Sequence, residues 1–550
     1  MNSQKTLIYI SSTLLILSVS LTIFNRIYTF PKAGTDFVDF MTHFYDMKQF
    51  DEKGQIPTTG ARFEMGPLLR EVAPRVPGGF FYIHYLLCYK LGGGDTEFAR
   101  VFNFITMFIP ALIFLFWIYK RFGFSVMSVL SVLVLFNIYF VYTNNIFYNP
   151  NITLSLSFIF LTLFGEYIYI YIYEEKSNLN IPAMMFFPCL ALMGQAHFAV
   201  YYGIVPTVIV YLILRYKTTL KNIKSLLIGV FLSFLTYLPY LVMEIKNGFL
   251  NSSKMLNFSV NSDLRKVFPF PQVHSLIMFP TNEFSVMYAA NNFKKIMAFY
   301  LNDNPYYIFC LIILILSIIL IVAAFIYSAI KFFKNKEYKF ENNGNYKNDR
   351  SLFLIKELLL LFLLYFPVTI FITIIGRGIA GQFRYHYGAF ALSFVPMIYL
   401  LYNLKINSKF KYLNYISIFY MLSAVAMTFN IMIFYKNYQQ PFRWKDYIDT
   451  VKNIEKDSNG EKFIIKNGNA YFSQMGFIYS DKWNEDSLSI ITNEDTVKFV
   501  YTGNEDEIQR DADIVYYLYD SKNITNMNLP VISSNGIYTV YRKTLSSMPK

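Results

Sequence analysis

Gly78-Gly79-Phe80-Phe81-Tyr82-Ile83-His84-Tyr85-Leu86-Leu87-Cys88-Tyr89-Lys90-Leu91 is the stretch on which the topology turns. It is apolar but only about a dozen residues long, whereas a helix that crosses a bilayer needs about 20. Read as a span, it places Lys120-Arg121 and the cluster Arg215, Lys217, Lys221 and Lys224 outside the membrane. Read as a helix lying on the outer surface, it places them inside, with Lys5, Lys176, Lys331–Arg350 and Lys405–Lys411. Lys and Arg concentrate in short cytoplasmic loops, so the surface helix is the reading adopted.

Around it lie eleven apolar runs, near 7–24, 97–119, 124–143, 149–173, 181–198, 199–214, 225–243, 305–333, 353–375, 383–403 and 412–434. The first ends in Phe24-Asn25-Arg26 with no small-residue cleavage site, so it reads as a retained span rather than a signal peptide. Eleven spans put the N-terminus in the cytoplasm and the C-terminus outside. The predicted fold class is a polytopic α-helical membrane protein with about 11 transmembrane helices and a C-terminal soluble α/β domain.

Composition agrees. The 550 residues are 55% hydrophobic and 15% charged, well below the roughly 25% charge of soluble domains. The net charge of +13 is unevenly spread. From Lys436 onward there are 14 Lys/Arg and 16 Asp/Glu, while the first 435 residues carry 35 and 20. The excess sits in loops between apolar runs, as a topology signal does, and nucleic-acid binding is excluded as a reading. Cys88, Cys189 and Cys310 are far apart in apolar segments, so neither a disulfide framework nor a zinc ribbon is expected.

Two domains follow. Residues 1–435 form the transmembrane module, with outer loops 31–95 and 244–304. Residues 436–550 form an extracytoplasmic α/β domain. In that tail Arg443–Lys456 reads as a helix. Lys462–Ile465, Leu488–Ile491, Val497–Tyr501, Asp513–Tyr519 and Ile537–Tyr541 read as strands.

Phosphate-loop, zinc-protease and nucleophile-elbow signatures are absent from the sequence. Gly92-Gly93-Gly94-Asp95 lacks the lysine of a phosphate loop and reads as a tight connection. Asp511-Ala512-Asp513, at a strand start, reads as a solvated turn. The informative polar residues lie at the outer boundary. Asp36 and Asp39, in Gly34-Thr35-Asp36-Phe37-Val38-Asp39, are three apart and share a face if helical. Either could simply favour a helix start, or act as a carboxylate where a span meets the outer leaflet. Arg384 opens an apolar helix at its outer end, where an arginine either snorkels to headgroups or holds a phosphate. Arg377 is a second cation of this kind. His386, Tyr385, His197 and His84 are supporting candidates. The five histidines have no metal-ligand spacing, so no metal residue is assigned and no cofactor is required, with a divalent ion left open.

Several of these segments, in this order, resemble the GT-C superfamily of membrane glycosyltransferases, in its bacterial family 39 branch with the protein O-mannosyltransferases and lipid A aminoarabinose transferases. The residues that carry the likeness are Asp36–Asp39, Gly54-Gln55-Ile56-Pro57, Val76–Tyr82, Tyr148-Asn149-Pro150-Asn151 and Gly194-Gln195-Ala196-His197. Pro239-Tyr240-Leu241, Glu244, Gly248–Asn251 and Phe383-Arg384-Tyr385 complete it.

The resemblance implies a glycosyltransferase that takes sugar from a polyprenyl phosphate and gives it to a hydroxyl of a lipid, glycan or protein. The catalytic base would be Asp36 or Asp39. The family often has Asp-Glu there and this chain has Asp-Phe. Relatives carry His-Pro-Pro or Lys-Pro-Pro where this chain has Val76-Pro77-Gly78, so no phosphate contact is carried over from that position. A departing phosphate scarcely needs an acid. The reaction needs a base for the acceptor and cations for the growing charge, and in-line attack would invert the sugar. The alternatives are a polysaccharide polymerase or ligase, and a lipid-linked glycan transporter. A transporter would carry ionisable residues near mid-membrane, where this chain has chiefly Glu166.

Overall fold

The computed structural model describes residues 3–30, 38–63, 74–137, 140–141, 147–173, 180–257, 305–334, 350–375, 383–437, 444–459, 463–466, 488–491, 514–520, 529–534 and 538–544. The chain divides into two compact units. One comprises Met1–Phe30, Pro57–Ala61 and Arg75–Tyr438, and the other Pro31–Ile56, Arg62–Pro74 and Gln439–Lys550. Two stretches of the first long loop thus group with the tail.

The first unit is helical. Its elements are α1 (Ser3–Thr29), then, after the polar helix α2 (Val38–Glu52) of the second unit, a two-stranded ribbon of β1 (Thr59–Arg62) and β2 (Arg75–Pro77). There follow α3 (Phe80–Leu91), α4 (Thr96–Phe122), α5 (Phe124–Leu135), α6 (Asn149–Tyr173) and α7 (Ile181–Ala196). A 3-10 turn (Phe198–Tyr201) leads to α8 (Ile204–Leu214), α9 (Tyr216–Lys221), α10 (Ile223–Lys246) and α11 (Leu250–Asn257). The unit ends with α12 (Pro305–Lys334), α13 (Arg350–Ile375), a 3-10 helix (Phe383–Phe394), α14 (Val395–Ile406) and α15 (Phe410–Asn437).

Among the described residues eight helices are long and apolar enough to cross a membrane, and Phe124–Leu135, Ile181–Ala196 and Phe198–Leu214 are shorter apolar helices. Together they match the eleven expected runs one for one. The span expected at 383–403 differs in kind, because its first half winds as a 3-10 helix. Such helices seldom exceed three or four residues; here the whole stretch from His386 to Phe394 is buried.

Burial explains the sequence pattern. Every residue of α5 from Ser125 to Leu135 except Met127 is buried, as befits a helix that is apolar all round. On α10 the exposed large apolar residues are Ile223, Leu227, Val230, Phe231, Phe234, Leu235, Leu238, Val242 and Ile245, a broad stripe at helical spacing. Such an apolar face suits hydrocarbon rather than water. On α3, Ile83, Leu87 and Leu91 are exposed on one face while Phe81, Tyr82, Tyr85 and Cys88 are buried. Asp95 ends the glycine run as the N-cap of α4, accepting from the Glu97 and Phe98 amides at 2.8 and 3.0 Å.

Charge within the bundle is paired. Glu166, the one acid singled out within the spans, accepts from Trp117 Nε1 at 2.5 Å and from Arg121 Nε at 2.6 Å. Glu357, 1% exposed, takes both prongs of Arg215 at 2.9 and 2.7 Å and the Tyr211 hydroxyl at 2.6 Å. Lys405 donates to the Phe122 carbonyl at 2.7 Å, and Ser351 to that of Arg121 at 2.5 Å. These contacts gather one end of the unit, where Lys120, Lys217, Lys221, Lys224, Lys409 and Lys411 are exposed.

In the second unit, Asp46 of α2, 3% exposed, pairs with Arg62 at 2.9 Å. The tail holds a helix α16 (Trp444–Ser458) and a five-stranded sheet, β3 (Phe463–Lys466), β4 (Leu488–Ile491), β5 (Ile514–Asp520), β6 (Val531–Ser534) and β7 (Tyr538–Thr544). The order is β4-β3-β5-β7-β6, parallel across β4-β3-β5 and antiparallel across β5-β7-β6. Ile514, Tyr516 and Leu518 alternate into the core, and Tyr516 donates to Asp457 of α16 at 2.7 Å. Strand β6 has no counterpart in the sequence reading, and Val497–Tyr501 lies outside the described residues.

Glu357→Ala removes the buried partner of the partly exposed Arg215 guanidinium, a loss of charged hydrogen bonds that costs about 1.5–3 kcal/mol. Thermal unfolding of the detergent-solubilised protein is expected to fall sharply in Glu357→Ala, and far less when the exposed Lys221 is replaced by Ala.

Candidate functional site

Opposite the lysine-rich end, several of the stretches quoted for the family resemblance, all within the first unit, pack against one another. The ribbon and α3 are joined by Gly78 and Gly79, and neither position has room for a side chain. A Cβ on Gly79 would lie 1.8 Å from the Pro57 carbonyl oxygen, and one on Gly78 2.4 Å from the Gln195 side chain. Gly78 also holds φ +90, a region that favours glycine. Gln195, near the end of α7, donates to Thr236 of α10 at 3.0 Å (carbonyl) and 2.8 Å (hydroxyl). One side chain thus joins ribbon, α7 and α10.

The second long loop is tied to the same ribbon. Past α10 the chain turns through Gly248 and Phe249, both at positive φ. Glu244, 1% exposed, then accepts from the amides of Asn251 (3.2 Å) and Ser252 (2.8 Å) and from the Ser252 hydroxyl. A carboxylate over the first amides of α11 is favoured by the helix dipole. The Asn251 carboxamide pairs with the backbone of Arg75, accepting from its N–H at 2.7 Å and donating to its carbonyl at 3.0 Å. It also donates to the Tyr240 hydroxyl at 3.1 Å.

His84 projects from α3 toward α4, and its Nε2 lies 3.0 Å from Asn103 Oδ1. Phe147, which stacks on Tyr85 at 3.7 Å between centroids, lies beside the His84 ring. Burial pulls the His84 pKa below its ordinary value, the Asn103 contact opposing in part. Burial likewise pushes the Cys88 thiol up to about 11, so it is an inert packing residue. At the same end Arg100 donates to the Phe30 carbonyl at 3.0 Å and to Glu97 at 2.8 Å. Asn149 donates to the Ala196 carbonyl at 3.3 Å.

The residues expected to carry chemistry fall as follows. Asp36 and Arg377 lie outside the described residues. Asp39 is the second residue of α2, in the second unit, and Arg384 and Tyr385 are the second and third of the 3-10 helix, in the first. His386 is buried, and its Nδ1 meets the Tyr365 hydroxyl at 2.8 Å. His197 caps the end of α7. Of the supporting candidates, His84 and His197 stand on elements of the glycine ribbon and α7 assembly. Among the described residues no three His, Cys, Asp or Glu side chains stand together as an ion would require.

Asn103, Asn251 and Gln195 are the polar residues whose part was not foreseen. Carboxamides carry no charge, so charge counting passes over them; Gln195 and Asn251 were visible only within motifs.

No family model matches the chain, and no curated protein sequence does. Among solved structures the chain is similar to ArnT from Cupriavidus metallidurans in the apo state, at 9% identity and a TM-score of 0.48 over 96% of this chain and 98% of that one. It is similar to the same protein bound to undecaprenyl phosphate, at 9% identity and 0.49 over 97% and 99%. An oligosaccharyltransferase from Archaeoglobus fulgidus, tethered to an acceptor peptide, is similar at 10% identity and 0.45 over 94% and 69%. ArnT is a GT-C aminoarabinose transferase, of the kind the sequence resembles. The likeness concerns the path of the chain.

Gly79→Ala forces the ribbon off Pro57, at a cost of about 1–3 kcal/mol for overpacking. Limited proteolysis within 56–78 is expected to quicken in Gly79→Ala and to stay unchanged in Lys90→Ala, an exposed position of α3.

Proposed function

We propose that this chain is an integral-membrane glycosyltransferase that moves a sugar from a polyprenyl-phosphate donor to an acceptor hydroxyl, with inversion. The reaction would take place on the membrane face opposite the lysine-rich end, which is the extracytoplasmic face of a bacterial inner membrane.

The observation that carries the reading is the contrast between the two ends of the helical unit. One is closed by ion pairs and flanked by lysines, as a cytoplasmic end is. The other is built from the separated stretches that resemble the GT-C enzymes, joined through glycine contacts and the carboxamides of Gln195, Asn251 and Asn103. The buried Glu357 and the partly exposed Glu166 are held by arginines at the lysine-rich end, which favours an enzyme over a carrier of ions or solutes.

In this reading Asp36 or Asp39 takes the proton of the acceptor hydroxyl. Arg384, with Arg377, holds the lipid phosphate as charge grows on it, the two-pronged guanidinium matching phosphate oxygens. Tyr385 and His386 follow Arg384 in the same 3-10 helix and would support it. The tail, residues 436–550, would stand outside the membrane. The acceptor is a hydroxyl of lipid, glycan or protein.

Mass spectrometry of envelope glycans, with and without the protein, tests the reading. One sugar is expected to disappear in its absence and to return with the wild-type chain. Asp36→Asn or Asp39→Asn should fail to restore it, with transfer down about 10²–10⁴-fold, the usual worth of a general base, although the protein still inserts. Arg384→Ala should weaken use of the donor. An unaltered glycome, or full activity in both aspartate variants, sinks the proposal.

A further inference from the structure

His84 is a polar residue in a helix face that has no structural need of one. Its neighbours on α3 are Phe80, Phe81, Tyr82, Ile83, Tyr85, Leu86 and Leu87, and the ring of Phe147 lies beside it. Among them an imidazole is present, matched by Asn103, which is 1% exposed within an apolar span. A polar pair set among aromatic rings costs desolvation, and its presence asks for a use.

The geometry defines what the ring offers. Asn103 presents its carbonyl oxygen to Nε2 at 3.0 Å, and the Cys88 sulfur lies 3.8 Å from the same nitrogen; the oxygen is the shorter contact and the stronger acceptor, which assigns the proton to Nε2. Nδ1 is then a bare lone pair. It has no hydrogen-bond partner among the described residues, and unlike His386 Nε2 it is not an enclosed atom. Burial of the ring disfavours its charged form and lowers its pKa, the Asn103 contact opposing in part. His84 thus presents one fixed acceptor and no charge, which suits a hydroxyl and does not suit a phosphate.

Depth selects which hydroxyl. Asn103 lies seven residues into α4 from Thr96, about 10 Å along the axis at 1.5 Å per residue. The exposed Ile83, Leu87 and Leu91 lay α3 in the apolar boundary. A polyprenyl phosphate is anchored by its tail, so its sugar sits at that boundary, whereas an acceptor arrives from the aqueous side.

We infer that His84 Nδ1 accepts a hydrogen bond from a hydroxyl of the donor sugar, with Asn103 holding the imidazole as its Nε2–H tautomer. The inference rests on the glycosyltransferase reading and assigns a sugar-recognition residue to it. No bond is made or broken at His84.

The test is binding to the full-length protein in nanodiscs. The probes are undecaprenyl-phosphate glucose, mannose and galactose, the monodeoxy analogues of whichever binds, and undecaprenyl phosphate without sugar. For the wild type one deoxy position is expected to lose about three- to tenfold in Kd, the worth of one neutral hydrogen bond. His84→Phe should lose the same against the parent sugar lipid and nothing more against that analogue. Affinity for undecaprenyl phosphate itself should not change, which separates recognition from a structural role. Asn103→Leu, which frees the ring, should reproduce part of the loss. In 15N-histidine-labelled wild type the His84 signal should show Nε2 protonated and Nδ1 bare. Losses that multiply at every deoxy position, an equal loss for the sugar-free lipid, or a protonated Nδ1 would overturn the role of His84 while leaving the enzyme reading intact. If the wild type binds the sugar-free lipid and none of the sugar lipids, both fall together.

Discussion

An acid buried among apolar helices has to be neutralised where it stands, and that requirement organises the helical unit. Glu357 is met by both prongs of Arg215 and by Tyr211, and Glu166 by Arg121 and Trp117. Each pair joins helices far apart in sequence, α8 to α13 and α4 to α6. Because an isolated charge in such surroundings is so costly, these contacts fix which helices are neighbours at that end. The lysines around them remain exposed, and the end is both anchored and marked.

The opposite end is held by other means. There the helices stop at a ribbon whose backbone approaches Pro57 and Gln195 too closely for any side chain at Gly78 and Gly79. Beside the Arg100–Glu97 ion pair, carboxamides do much of the joining, because an amide can satisfy a carbonyl and an N–H together without bringing in charge, as Asn251 does with Arg75. An end assembled in this way leaves its charged residues for other uses. It is also the end to which the sequence likeness assigns the chemistry.

Much of this was legible in the chain as a string of letters. The eleven apolar runs each became a helix or a helix pair, because length and hydropathy alone decide whether a segment suits a bilayer. The stretch from Gly78 to Leu91 became a twelve-residue helix that keeps an apolar stripe exposed. Glu166, read as an exception, proved to be half of an ion pair. The roles of Asn103 and Asn251 were not legible, since a neutral amide gives no periodic or charge signal and its partners lie 19 and 176 residues away. The 3-10 winding from Phe383 to Phe394 was equally hidden, because its apolar letters also suit an α-helix.

By itself the sequence determined that the chain is a bundle of apolar helices with a basic and a less basic side, since both follow from local composition. It also supplied the two aspartates and the arginine on which the proposed reaction depends. Only the tertiary structure decided that the separated glycines, Gln195, Glu244 and Asn251 belong to one assembly, and that His84 meets Asn103. Those facts depend on close approach between segments distant in sequence, and contact distances of about 3 Å are set by packing, not by the order of residues along the chain.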